Sequence, residues 1–174
     1  MKKILIVIDM QKDFVDGSLG TDEAQAIVPN AFKKIQDHSG DIIVTYDTHS
    51  EDYLSTPEGL KLPVKHCIKG SDGWKLDAHI EHALSSKRYI AVEKPTFGSV
   101  ALPDIIRDMC IDEDFEIELI GLCTDICVIS NALLLKAAFP EKKISVDSSC
   151  CAGVTKELHE KALAVMRSCQ IDII

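Results

Sequence analysis

Short apolar runs rich in β-branched residues recur along the chain at residues 4–8, 42–45, 89–92, 115–120, 143–146 and 171–174. Runs this short, apolar without polar alternation, predict strands buried on both faces. Between them, residues 24–36, 99–109, 127–138 and 156–167 carry apolar side chains at helical spacing, and Pro103 suits a first helical turn. Strand and helix alternate, which predicts an α/β chain: a three-layer α/β/α sandwich with a mostly parallel six-stranded sheet, Rossmann-like, whose last strand lies at an edge. Residues 47–76 break the alternation. They hold Gly59, Gly70, Gly73, Pro57, Pro63 and the only tryptophan, Trp74, and read as a long loop region. So long an irregular segment in a compact domain is usually functional or disordered, and its His, Asp and Glu content favours function.

Length adds that the 174 residues, free of repeats and low-complexity tracts, suit one domain, 1–174. The basic N-terminus leads into an apolar run too short to span a membrane and without a small-residue cleavage site, so it reads as the first buried strand. Charge excludes another partner class. With 19 Lys and Arg against 28 Asp and Glu, net -9, and no basic stripe, the chain is not expected to bind nucleic acid. Seven cysteines, at 67, 110, 123, 127, 150, 151 and 169, are an odd number. At least one thiol stays unpaired, and without a secretion signal a reducing, cytoplasmic setting is expected. Neither Cys123/Cys127 nor Cys150/Cys151 has zinc-ribbon or thioredoxin-like spacing.

Candidate chemistry concentrates where strands end. The segment Gly121-Leu122-Cys123-Thr124-Asp125-Ile126-Cys127-Val128 follows the 115–120 strand and opens the 127–138 helix. Cys127 is thereby expected in a first helical turn, where free N–H groups and the helix dipole favour a thiolate and can also hold an oxyanion. A small, buried, inert cysteine is the alternative account of the same residue. Asp9, Asp47 and Lys94 each follow an apolar strand, and in a parallel sheet those ends share the edge beyond which ligands bind. Singly, each is equally accounted for by capping or solvation. Together, Asp9, Lys94 and Cys127 form a coherent set: a nucleophile, a cation beside it and a carboxylate to move its proton, with the backbone N–H groups of Cys123 and Cys127 as an oxyanion hole. A second group, Asp47-Thr48-His49 with Glu58 and His66, offers carboxylate and imidazole ligands suited to zinc, iron or manganese. Surface hydrogen bonding accounts for such a pair as readily.

Five anchors in order resemble the isochorismatase-like cysteine hydrolase superfamily, and within it the nicotinamidase/pyrazinamidase branch. They are Leu5 with the residues through Val15, then Asp47-Thr48-His49, His66-Cys67-Ile68-Lys69-Gly70-Ser71, Lys94-Pro95-Thr96-Phe97-Gly98-Ser99, and the Cys127 segment. The resemblance implies the family's hydrolase fold, a catalytic Asp9, Lys94 and Cys127, and a cis peptide between Leu122 and Cys123 that turns the Cys123 N–H towards the oxyanion. It also implies a divalent metal, zinc foremost with iron or manganese as alternatives, held by Asp47, His49 and His66 with Glu58 as a further candidate. Phe14 and Phe97 match positions flanking an aromatic ring. The implied reaction is hydrolysis of a small carboxamide, nicotinamide to nicotinate, through a thioester on Cys127. Another small amide, ureide or carbamoyl compound is the alternative substrate, and a non-enzymatic metal or thiol protein is a further reading. Pyridine nucleotide salvage is the implied setting and a homo-oligomer the implied assembly. One departure stands out: the family often places an aromatic residue shortly before the metal-binding histidine, whereas here the approach is Leu62-Pro63-Val64-Lys65, and Trp74 follows instead.

Overall fold

In the computed structural model, which describes residues 1–174, the apolar runs are strands β1 (Lys2–Ile8), β2 (Asp41–Asp47), β3 (Tyr89–Lys94), β4 (Phe115–Leu122), β5 (Ile144–Ala152) and β6 (Asp172–Ile173). They form one sheet in the order β3-β2-β1-β4-β5-β6, and every pairing is parallel. The sheet is thus wholly rather than mostly parallel, with β6 at an edge. Seven helices accompany it: α1 (Lys12–Val15), α2 (Asp22–Asp37), α3 (Pro57–Lys61), α4 (Ala78–Leu84), α5 (Leu102–Met109), α6 (Ile129–Ala138) and α7 (Lys156–Ser168).

The two-residue period of a strand explains the layers. Ile4, Ile6 and Ile8 of β1 point into a core shared with Leu102, Ile106, Ala132, Leu135, Leu163 and Met166 from α5, α6 and α7. Leu5 and Val7 point the other way, onto Ala24, Ile27, Ala31, Ile35, Ile80 and Ala83 of α2 and α4. A strand that must satisfy both layers has no solvent face, hence its unbroken apolar sequence. Local chemistry starts the helices. Thr21 Oγ1 accepts the Ala24 N–H, Thr155 Oγ1 the Leu158 N–H, and Asp77 Oδ1 the His79 and Ile80 N–H groups.

Four features depart from the sequence expectation. Residues 47–76 are not simply a loop, because a 3-10 turn, Tyr53–Ser55, and α3 fold within them, α3 being capped by Thr56 Oγ1 on the Gly59 N–H. Helices α1 and α4, of 4 and 7 residues, are too short to show a helical period. Strand β5 runs on to Ala152, past an irregularity holding Ser148 and Ser149 where its register against β4 shifts, from Leu119 opposite Val146 to Gly121 opposite Cys151. The helix expected from residue 127 begins instead at Ile129, preceded by a π turn, Thr124–Val128, in which the Cys123 carbonyl accepts both the Ile126 and Val128 N–H groups at 3.1 Å. One extra residue per turn leaves no mark in an apolar spacing pattern. No helix is long and apolar enough to cross a membrane.

Chain order places the site. From β1 the sheet grows outward through β2 and β3, then returns to β1's other side for β4, β5 and β6. The topological switch point therefore lies between the carboxyl ends of β1 and β4, which carry Asp9 and the Cys127 turn.

Candidate active site

Asp9 leaves β1 in a left-handed conformation, φ +47°, which aspartate tolerates better than most residues. Thr45 on the neighbouring strand fixes it: the Thr45 hydroxyl donates to Asp9 Oδ1 at 2.6 Å and accepts the Asp9 N–H at 3.2 Å. Lys94, at the end of β3, is 1% exposed, an extreme for lysine that demands charge partners. Its Nζ lies 2.6 Å from Asp9 Oδ2, 3.5 Å from Cys127 Sγ and 3.5 Å from Asp47 Oδ1, and donates to the Thr96 carbonyl at 3.0 Å. One ammonium thus joins three strand ends and the π turn.

Electrostatics run against one sequence expectation. Burial, then the carboxylate of Asp9, push the Cys127 thiol well above its ordinary range, and Lys94 does not pull it back. This balance favours a thiol over the thiolate expected of a helix terminus, because a nearly covered anion loses more hydration than one ammonium restores. Burial also raises Asp9, against the pull of Lys94. Burial would lower Lys94, but the carboxylates of Asp9 and Asp47 raise it. The arrangement suits a carboxylate taking a proton from a thiol while the lysine stays charged.

Beside this cluster stand Asp47, His49 and His66, all buried, with one potential ligand atom each lying within 4.8 Å of one another. Asp47 Oδ2 is 3.0 Å from His49 Nε2 and 3.5 Å from His66 Nε2, and Glu58 Oε1 is 3.6 and 3.9 Å from the same nitrogens. His49 Nε2, though buried, makes no hydrogen bond, the mark of a donor set oriented for a cation. His66 Nδ1 meets the Val64 carbonyl at 2.8 Å, which sets the tautomer that leaves Nε2 free for an ion. Backbone bonds tie the two histidine-bearing segments together: the His49 N–H donates to the Cys67 carbonyl at 3.0 Å and the Lys69 N–H to the His49 carbonyl at 2.8 Å. These residues fit a divalent metal, and Asp47, whose Oδ1 lies 3.5 Å from Lys94 Nζ, would link such an ion to the lysine.

A cavity of about 210 Å³ meets the first group at Cys127 and the second at Asp47, Glu58 and His66. Drug-sized sites run to about 300–1,000 Å³, so this one suits a single small ring or its equivalent. Phe14, Phe97, Leu19, Leu62, Ile126 and Val154 supply apolar walls, while Asp47, Glu58, His66, Cys123 and Cys127 supply the polar end. No arginine or lysine lines it. Leu62 occupies wall space on the approach to His66, and Trp74 lies apart, its ring 5.3 Å from Tyr46 and its Nε1 donating to Thr48 Oγ1 at 2.9 Å. The Leu122–Cys123 peptide is cis.

Two positioning residues escaped the sequence reading. Gln11 Nε2 donates to the Asp47 carbonyl at 2.9 Å and its Oε1 accepts the Asp47 N–H at 2.8 Å, clamping that residue's backbone. Tyr53, fully buried, packs its ring 4.6 Å from His49 and 4.9 Å from His66. Gln11 had a signal, a polar residue three after the end of a buried strand, whereas Tyr53 had none within its loop.

A doubly wound α/β fold with a buried Asp–Lys–Cys cluster at its switch point, flanked by an Asp–His–His group, defines a hydrolase-like class of protein. The chain belongs to the isochorismatase family: the sequence model of the isochorismatase domain matches residues 3–174. A Bacillus subtilis (strain 168) protein called an uncharacterized isochorismatase family protein PncA is 30% identical over 175 residues, covering 94% of this chain and 93% of its own. Among solved structures, nicotinamidase/pyrazinamidase PncA from Bacillus subtilis is similar with TM-score 0.84 and 26% identity, over 99% of both chains. Pyrazinamidase/nicotinamidase from Streptococcus mutans UA159 is similar with TM-score 0.83 and 29% identity, over 99% of this chain and 100% of its own.

Proposed function

We propose that this protein is a metal-assisted cysteine amidohydrolase that converts nicotinamide and water to nicotinate and ammonia. The observation that carries the reading is one buried ammonium, Lys94 Nζ, in contact with both Asp9 Oδ2 at 2.6 Å and Cys127 Sγ at 3.5 Å. Asp9 takes the Cys127 proton as the sulfur bonds to the amide carbon and the carbonyl π pair moves to oxygen. The backbone N–H groups of Cys123 and Cys127 hold that oxyanion. Its collapse breaks the C–N bond, and Asp9 returns the proton to the departing amine, leaving ammonia and a thioester. Asp9 then takes a proton from water, whose oxygen attacks the thioester, and the second collapse expels the sulfur, which regains the proton as the acid leaves.

Asp47, His49 and His66 would hold the metal, with Glu58 beside them. A zinc, iron or manganese ion there supplies a Lewis acid for the ring nitrogen lone pair, orienting the ring. Phe14 and Phe97 flank that ring. The nicotinamidase neighbours at 26 and 29% identity support this substrate. The lack of any arginine or lysine on the cavity wall favours a neutral amide over a carboxylated carbamoyl compound. All seven cysteines are free, in keeping with a reducing, cytoplasmic place in pyridine nucleotide salvage.

A panel of small amides tests the assignment. Nicotinamide and pyrazinamide are expected to release ammonia with the highest kcat/KM, and N-carbamoyl amino acids little or none. Preference for the carbamoyl acids would overturn it.

A further inference from the structure

Asn131 lies inside α6 and is fully buried, in a helix whose neighbouring side chains are mostly apolar. Asparagine is a poor helix-interior residue, and its burial is costly unless each polar atom finds a partner. Here each does. Nδ2 donates to the Cys127 carbonyl at 2.8 Å and to the Phe97 carbonyl at 3.1 Å, and Oδ1 accepts the Ser99 N–H at 2.8 Å. Two carbonyls and one N–H admit only one orientation of the amide.

These partners belong to the two halves of the site. Cys127 sits in the π turn, while Phe97 and Ser99 sit in the segment after β3 whose Thr96 carbonyl receives Lys94 Nζ at 3.0 Å. That segment lies flat on α6: a Cβ on Gly98 would meet Leu134 Cδ1 at 2.6 Å. One amide therefore spans the gap between the sulfur-bearing turn and the strand-end segment that carries the ring wall and orients the lysine. Resting on the amidohydrolase reading above, we infer that Asn131 is a positioning residue that fixes the separation of Cys127 from Phe97 and Lys94. It touches no substrate and acts through both halves at once, so its loss affects turnover and binding together.

The test compares wild type with Asn131→Ala, Asn131→Asp, Phe97→Leu and the Asn131→Ala/Phe97→Leu double variant. Asn131→Asp keeps the acceptor for the Ser99 N–H and places an oxygen where both carbonyls need a donor. Folding is checked by near-ultraviolet circular dichroism and cooperative melting. In folded Asn131 variants kcat for nicotinamide is expected to fall by about 10- to 100-fold. KM is expected to rise several-fold, and in the double variant no further than in Phe97→Leu alone, because both changes act on one wall. The rate of Cys127 alkylation by iodoacetamide at fixed pH, read by peptide mass spectrometry, is expected to shift several-fold from wild type. Folded variants with kcat, KM and alkylation within about twofold of wild type would overturn the inference, as would KM effects that multiply independently. If neither Asn131 variant melts cooperatively, the residue is a structural staple and the inference also falls. If wild type leaves nicotinamide intact, the amidohydrolase reading fails, and the alkylation rates alone decide the role of Asn131.

Discussion

In the proposed reaction one proton passes between Cys127 and Asp9 under opposing pressures. Burial holds it on the thiol, while the carboxyl that must receive it is itself raised by burial against the pull of Lys94. The base works only when ionised, so activity is present above the raised Asp9 pKa and is lost as pH falls through it. The acid limb of kcat/KM is expected at a midpoint above the ordinary aspartate value of about 3.9. Asp9→Asn is expected to lower kcat by about 10²- to 10⁴-fold and to abolish that limb. At pH 7, Cys127 should alkylate with iodoacetamide more slowly than the exposed Cys169. The reverse ranking would mean that a thiolate is resident after all. Asp9, Lys94 and Cys127 were legible in the sequence because each follows an apolar run that had to be a strand. The direction of the thiol shift was not, because it depends on how completely the cavity walls cover the sulfur. Gln11 was visible as a polar residue but not as a clamp on Asp47, since that contact spans 36 residues.

The strand-to-turn junctions carry the strain of the design. Gly121 ends the β4 pairing with β1 at φ +120°, and a Cβ there would meet the Ile8 carbonyl oxygen at 2.1 Å, one residue before Asp9. Gly121→Ala is thus expected to part β1 from β4 where the site sits. It should cost more than ~1 kcal/mol, and thermal melting should show a fall of roughly 2–4 °C per kcal/mol, together with loss of turnover. An unchanged melting temperature would contradict that close approach. At this scale the long periodic elements were legible and the short ones were not. A run of five apolar residues announces β1, but α1 and α4 hold too few turns to repeat, and the π turn around Cys127 reads like the helix it precedes. Ser148 and Ser149 break the apolar run where β5 shifts register against β4 and its side chains meet solvent, while the Ser148 N–H pairs with the Ile174 carbonyl beside the short edge strand.

The whole fold follows from one decision of the chain, to lay β2 and β3 on one side of β1 and β4 to β6 on the other. That order brings the acid, lysine and thiol to one crevice and sets the Asp47, His49 and His66 group beside them. An ion bound there stabilises only the folded state, by about 2.7 kcal/mol at a hundredfold excess over Kd. Chelation is therefore expected to lower the melting temperature of wild type but not of Asp47→Ala, and elemental analysis to find a transition metal in wild type and little in Asp47→Ala or His49→Ala, which also lose most turnover. Equal melting temperatures with and without chelator would contradict the metal assignment. The alternation of strand and helix made this architecture readable from the sequence, whereas the two-ligand approach across residues 49–66 depended on a loop whose path no periodicity records. The central claim is that Cys127 breaks the amide bond of nicotinamide. Ammonia release measured side by side for wild type and Cys127→Ala, at matched metal content, tests it most directly: steady release by wild type with none by the variant is the predicted result, and equal release by both, or none by wild type, would contradict it.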